Sequence, residues 1–165
     1  MFYDLEDPIS FAQNIFENIA RDGIWVFEQS YLPTMIKMLA YDTIFHEHIE
    51  YYALGQIKYI LDRANLKIID VEFNAINGGS FSVVVARKDS KYKENTTLIK
   101  KILKQEENGG INDFQLYRQF ADDIDIHRNK LREFINKINQ SGKTIFGYGA
   151  STKGNVILQY CDITS

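Results

Sequence analysis

The chain has 165 residues with 45% apolar, 25% charged and 13% aromatic side chains, enough material to bury a core in one medium domain or parts of two. Its net charge of -3 supplies no positive field for nucleic acid, and its single cysteine, Cys161, excludes an intrachain disulfide and a cysteine-cluster zinc site. No stretch approaches the ~18–20 apolar residues of a membrane span and no signal-peptide pattern opens the sequence, so a reducing cytoplasm is the expected compartment.

Met1–Leu5 reads as the end of a strand, with no preceding βαβ units to build a parallel sheet around it. Asp7-Pro8 is a helix start, because Asp caps free N–H groups and Pro fits the first turn. Phe11, Ile15, Phe16 and Ile19 then recur at helical spacing, with an end expected near Asp22-Gly23. The continuous apolar run Ile24-Trp-Val-Phe27 reads as a strand covered on both faces. Residues 30–50 are irregular. From Ala53 to Ala64 the pattern is helical, and Asn65 is a plausible stop. Leu66–Phe73 and Ser80–Ala86 are β-rich and separated only by a short Gly-rich link, so they are expected to pair antiparallel.

Residues 87–95 read as a polar linker, followed by a helical stretch and a longer helix over 112–140 with Phe120, Ile124, Ile126, Leu131, Phe134, Ile135 and Ile138 as its apolar positions. Thr144-Ile-Phe-Gly-Tyr-Gly149 predicts a new strand running into a glycine turn, and Gly154–Tyr160 a further helix. One strand and one helix cannot bury both faces of a layer, so both ends of the chain read as cut.

Two clusters carry candidate chemistry. In His46-Glu47-His48, followed by Glu50, Tyr51 and Tyr52, the second His of an HExxH zinc motif is missing. The segment can be a polar surface turn, a metal site, or an acid–base pair in which a carboxylate neighbour orients an imidazole to remove a proton alpha to a carbonyl. In Gly147-Tyr-Gly-Ala-Ser-Thr-Lys-Gly-Asn155 a strand, a glycine turn and a helix are arranged to offer backbone N–H groups to a phosphate. The spacing fits neither a P-loop nor a Rossmann fingerprint, and a tight structural turn is an equal reading.

Together, Gly23-Ile-Trp-Val-Phe-Glu-Gln-Ser-Tyr-Leu32, Asp42-Thr-Ile-Phe-His-Glu-His48, Asn77-Gly-Gly-Ser80 and Gly147–Asn155 resemble the sugar C-methyltransferase family, whose members methylate a ring carbon of nucleotide-linked deoxy sugars. The resemblance implies an α/β fold: 1–87 as the second half of a class I methyltransferase Rossmann-like sheet ending in an antiparallel hairpin, 88–111 as linker and helix, and 112–165 as the start of a C-terminal Rossmann-like domain. It implies S-adenosyl-L-methionine as cofactor, with the binding half absent from this chain, and a nucleotide-linked 4-keto deoxysugar as substrate. His48 becomes the base and Glu47 its support. Tyr31, His46, Tyr51, Gly147, Gly149, Lys153 and Asn155 become substrate contacts, with no metal. The family often has Tyr where this chain has Phe45, and a His where it has Asp4; Tyr3, Tyr31 or Tyr51 are the candidates for the missing hydroxyl. Other readings are a non-catalytic fragment that keeps part of a sugar-nucleotide site, and a metal-dependent hydrolase built on His46-Glu47-His48. An uncovered sheet edge would favour self-association.

Overall fold

The computed structural model describes residues 2–149 and 151–164; Met1, Ala150 and Ser165 lie outside the described residues. Two compact units emerge, one from residues 2–38 and 47–112, the other from 39–46 and 113–164.

The first unit is built on a three-stranded sheet. Strand β1 (Ile24–Ser30) pairs antiparallel with β3 (Ser80–Arg87), and β3 pairs antiparallel with β2 (Leu66–Asn74), giving the order β1-β3-β2. Strand β3, the last among the described residues, therefore inserts between two strands that run parallel to each other. Phe81, Val83 and Val85 on the central strand are fully buried, each worth ~1.5–3 kcal/mol relative to an exposed side chain. The β2–β3 link closes through a short 3-10 turn (Ile76–Gly78) and Gly79, whose φ of +125° only glycine adopts readily. The expected hairpin is present.

Helix α1 (Pro8–Asn18) starts as the sequence predicts: the Asp7 carboxylate accepts from the Ser10 N–H at 3.0 Å and the Ser10 hydroxyl at 2.5 Å. It ends at Asn18, earlier than the expected Asp22-Gly23. A short helix α2 (Leu32–Lys37) occupies part of the segment read as irregular. Helix α3 (Leu54–Arg63) buries Leu54, Ile57, Ile60 and Leu61 on one face, and Asn65 ends it with φ +56°. Helix α4 (Thr96–Asn108) follows the linker and buries Ile99, Ile102 and Glu106. A bulge in β2 between Ile68 and Asp70 leaves the Ile69 carbonyl to accept the Asn95 N–H at 2.8 Å, which fixes where α4 begins.

Two expectations fail here. Residues Phe2–Asp4 form a 3-10 turn, not a strand end, because Phe2 is drawn into an aromatic cluster with Phe11, Trp25, Phe27 and Tyr52 at ring separations of 5.2–6.2 Å. Strand β1 is covered on one face only: Ile24 and Val26 remain 52% and 53% exposed. Its continuous apolar run does not reveal which face is covered.

The second unit is helical among the described residues. A 3-10 turn (Tyr41–Thr43), the 27-residue helix α5 (Phe114–Gln140) and helix α6 (Thr152–Tyr160) gather around Tyr41 and Cys161, both buried. The Tyr41 hydroxyl lies 3.0 Å from His127 Nδ1 and 3.5 Å from Cys161 Sγ. Of the apolar positions expected on α5, only Phe120 and Ile124 are buried. The strand predicted over Thr144–Gly149 does not form, and Phe146 and Tyr148 are 88% and 108% exposed. A strand needs a neighbour for its amide groups, and the described residues of this unit contain none.

Candidate functional site

The His46-Glu47-His48 segment has no helix or strand to hold it, so its position depends on its flanks. Toward the carboxyl side, the Glu50 N–H donates to the Tyr3 carbonyl at 3.1 Å, and the Leu32 N–H donates to the Tyr52 carbonyl at 2.9 Å. Tyr31 and Tyr52 form an isolated parallel bridge at the end of β1. Tyr52 in turn packs on Phe2 in the aromatic cluster. The backbone after His48 is thereby fastened to the sheet and to the turn at the amino end.

His48 is half-buried. Its ring lies 4.4 Å from that of Tyr3 at 60°, and 6.5 Å from Tyr51, edge-on. Burial, and then the charge of Asp4, push the Tyr3 phenol above its ordinary value. Glu47 is exposed and makes no hydrogen bond or ion pair among the described residues. His46 is also exposed and belongs to the second unit. Of the candidate residues, His48 and Tyr51 are thus brought together, and Tyr3 joins them.

Tyr31 serves a different network. Its hydroxyl donates to Glu106 Oε1 at 2.7 Å, and Glu106 also accepts the N–H groups of Leu54 at 2.7 Å and Gly55 at 3.0 Å. Ala53, at the N-cap of α3, has no side-chain acceptor, so a carboxylate from α4 satisfies the free amides of the first turn. Burial first, then the hydrogen bond and charge of Glu106, push the Tyr31 phenol far above its usual range. Sequence reading passed over Glu106. The available signal is its place on the apolar stripe of Ile99 and Ile102, where a charge demands a partner.

A cleft of about 680 Å³ opens beside this network, lined by Glu6, Asp7, Glu50, Glu106 and Glu107, by Tyr52 and Tyr59, and by no basic residue. His48 does not line it. Such a wall repels anionic groups.

In the second unit, Lys153 is half-buried on α6 and Asn155 is exposed, while Gly147 and Gly149 lie in the irregular stretch before the helix. Ser151 caps the helix, its side chain accepting from the Gly154 N–H. No Cβ placed on Gly147, Gly149 or Gly154 would meet anything within 4 Å, so packing does not explain these glycines. Among the described residues, no three His, Cys, Asp or Glu side chains converge to hold a metal ion, and no helix is long and apolar enough to cross a membrane.

Comparison with known proteins agrees with the resemblance. The family described as the C-methyltransferase C-terminal domain matches residues 75–165. The C-methyltransferase NovU of Streptomyces niveus is 35% identical over 145 residues, a stretch that covers 88% of this chain and 34% of that protein. The chain therefore spans about a third of the length of this curated relative. With more than half of its residues inside the family match and most of it aligned to an enzyme of that kind, the chain belongs to the C-methyltransferase family.

Proposed function

We propose that this chain is part of an S-adenosyl-L-methionine-dependent enzyme that methylates the carbon beside the ketone of a nucleotide-linked 4-keto deoxysugar. His48 is the base. The observation that carries the reading is the setting of this imidazole: half-buried, flanked by the phenols of Tyr3 and Tyr51, on a backbone tied to β1 and to the amino-terminal turn.

The ketone acidifies the neighbouring C–H. His48 takes that proton and negative charge moves to the ketone oxygen, leaving a nucleophilic enolate carbon that would accept the methyl group a bound cofactor supplies. The cofactor supplies an electrophilic methyl group. The described residues supply the base and its surroundings. The sheet order β1-β3-β2, with the reversed strand in the middle, supports assigning the first unit to the closing half of a class I methyltransferase sheet. For the second unit, the reading assigns Gly147, Gly149, Lys153 and Asn155 to phosphate contacts at the amino end of α6, where free N–H groups attract anions. His46 and Glu47 remain assigned as neighbours of the substrate or the base, whereas the Tyr31 hydroxyl is taken by Glu106.

The test is His48→Asn in the full-length protein. Methyl transfer to a thymidine-diphosphate-linked 4-keto-6-deoxyhexose is expected to fall at least ~100-fold, the lower end of what a general base contributes, while cofactor binding measured by calorimetry is unchanged. Turnover that survives the substitution rules out the base assignment.

A further inference from the structure

A base that removes a proton beside a ketone does half of the work. The charge that develops on the ketone oxygen needs a donor held in place before the reaction, and one such donor is worth ~100–1,000-fold in rate. The position in this chain where the family often has a tyrosine holds Phe45, which has no hydroxyl. Three tyrosines are near enough in the sequence pattern to replace it, and the structure separates them.

Tyr31 is committed. Its hydroxyl is buried and donates to Glu106 at 2.7 Å, so offering it to a ligand would give up that hydrogen bond. Tyr51 lies edge-on to His48 at a ring separation of 6.5 Å. Tyr3 is nearer, at 4.4 Å, with its ring tilted 60° to the imidazole. Its backbone is fixed twice over: the Tyr3 carbonyl accepts the Glu50 N–H, and the adjacent Phe2 is locked into the aromatic cluster. The Tyr3 side chain makes no hydrogen bond among the described residues, so its hydroxyl has no other task there.

We infer that Tyr3 is a catalytic residue, the hydroxyl that donates to the ketone oxygen as His48 withdraws the neighbouring proton. The inference rests on the reading of His48 as base. In the step, the C–H electron pair becomes the enolate C=C bond, the carbonyl π pair moves to oxygen, and the proton goes to the His48 imidazole. The Tyr3 O–H shortens its hydrogen bond to that oxygen without giving up its proton. When the enolate π pair forms the new C–C bond, the methyl–sulfur bond of a sulfonium donor would break with its electron pair left on sulfur, the carbonyl would re-form and the hydrogen bond would relax. A ring held against the imidazole fixes donor and base relative to each other, and positioning of that kind is what a displacement of ~1 Å would destroy.

The experiment compares Tyr3→Phe, Tyr51→Phe and His48→Asn in the full-length protein, using a thymidine-diphosphate-linked 4-keto-6-deoxyhexose as probe. Two signals are read: methyl transfer, and exchange of the substrate α-proton with solvent deuterium. Tyr3→Phe keeps the ring packed on His48, so the fold is retained, and the melting temperature checks this. It is expected to lower kcat about 100-fold with KM nearly unchanged, and to slow deuterium exchange in parallel. Tyr51→Phe should fall less than tenfold. A Tyr3→Phe variant with full kcat, beside a dead His48→Asn variant, overturns the role of Tyr3 and leaves the base in place. An active His48→Asn variant removes the underlying reading instead. A Tyr3→Phe variant that changes KM alone shows a binding contact and also overturns the inference.

Discussion

Glu106 offers the sharpest test of how the first unit is held together. Its carboxylate serves three donors, the Tyr31 hydroxyl and the Leu54 and Gly55 amides. Glu106→Ala leaves all three without an acceptor. Tyr31 and Leu54 are buried, so each orphaned donor there costs ~1–2 kcal/mol; Gly55 is half-buried and water can relieve part of its loss. The charge at the amino end of α3 adds ~0.5 kcal/mol. The expected total is ~3–5 kcal/mol, a large share of the ~5–15 kcal/mol that holds a domain folded. Glu106→Gln keeps one oxygen and shape, so ~1.5–3 kcal/mol is expected. Tyr31→Phe removes one donor and leaves the helix cap intact, for ~1 kcal/mol. Urea unfolding followed by the fluorescence of Trp25 reports on this unit, because Trp25 is the only tryptophan in the chain and packs in the aromatic cluster of the same unit. A loss below ~1 kcal/mol for Glu106→Ala would show that the carboxylate is replaceable by water and refute its role as the cap of α3.

Two further outcomes follow from single positions. At Gly79, φ is +125° and a Cβ would lie 2.2 Å from Thr34 Cγ2, so Gly79→Ala should destabilise by at least ~2 kcal/mol in the same urea assay. Burial and then the Glu50 charge push Tyr52 up from 10.0 to about 12, so the folded state holds this proton more tightly than the unfolded chain. Its contribution to stability is complete below pH ~10 and disappears as the pH rises toward ~12. Absorbance at 295 nm should show Tyr52 ionising late in the native protein and at its ordinary value in urea. Because the Tyr52 hydroxyl is buried without a partner among the described residues, Tyr52→Phe should leave stability at pH 7 unchanged or higher, and flatten the alkaline loss. An alkaline limb identical in both proteins would contradict this.

Much of the first unit was readable because its signals are local. Asp7-Pro8 announces a capped helix, Asn65 a left-handed stop, and the Gly-rich link a hairpin, each within a few residues. Strand order was harder, because β1 and β3 are joined by pairs such as Ile24 with Ala86, far apart in the chain. The Thr144–Gly149 strand shows the opposite failure: its residues suit a strand, but the neighbours that would satisfy its amides do not occur among the described residues of its unit. Glu106 escaped notice for a related reason, as its partners lie 51–75 residues away.

The site makes the same point about chemistry. Adjacency in His46-Glu47-His48 suggests that Glu47 steadies His48, because neighbours in sequence are easily taken for neighbours in space. The segment has no regular structure, and Glu47 is exposed without a hydrogen bond or ion pair among the described residues. Tyr3 packs against the imidazole, delivered by the anchoring of Phe2 in the aromatic cluster and the Glu50–Tyr3 backbone hydrogen bond. Hydrophobic packing around Phe2 thus contributes to the surroundings of His48. Loosening that packing, by Phe2→Ala for example, would displace Tyr3 from His48 although Phe2 itself makes no ring contact with the imidazole.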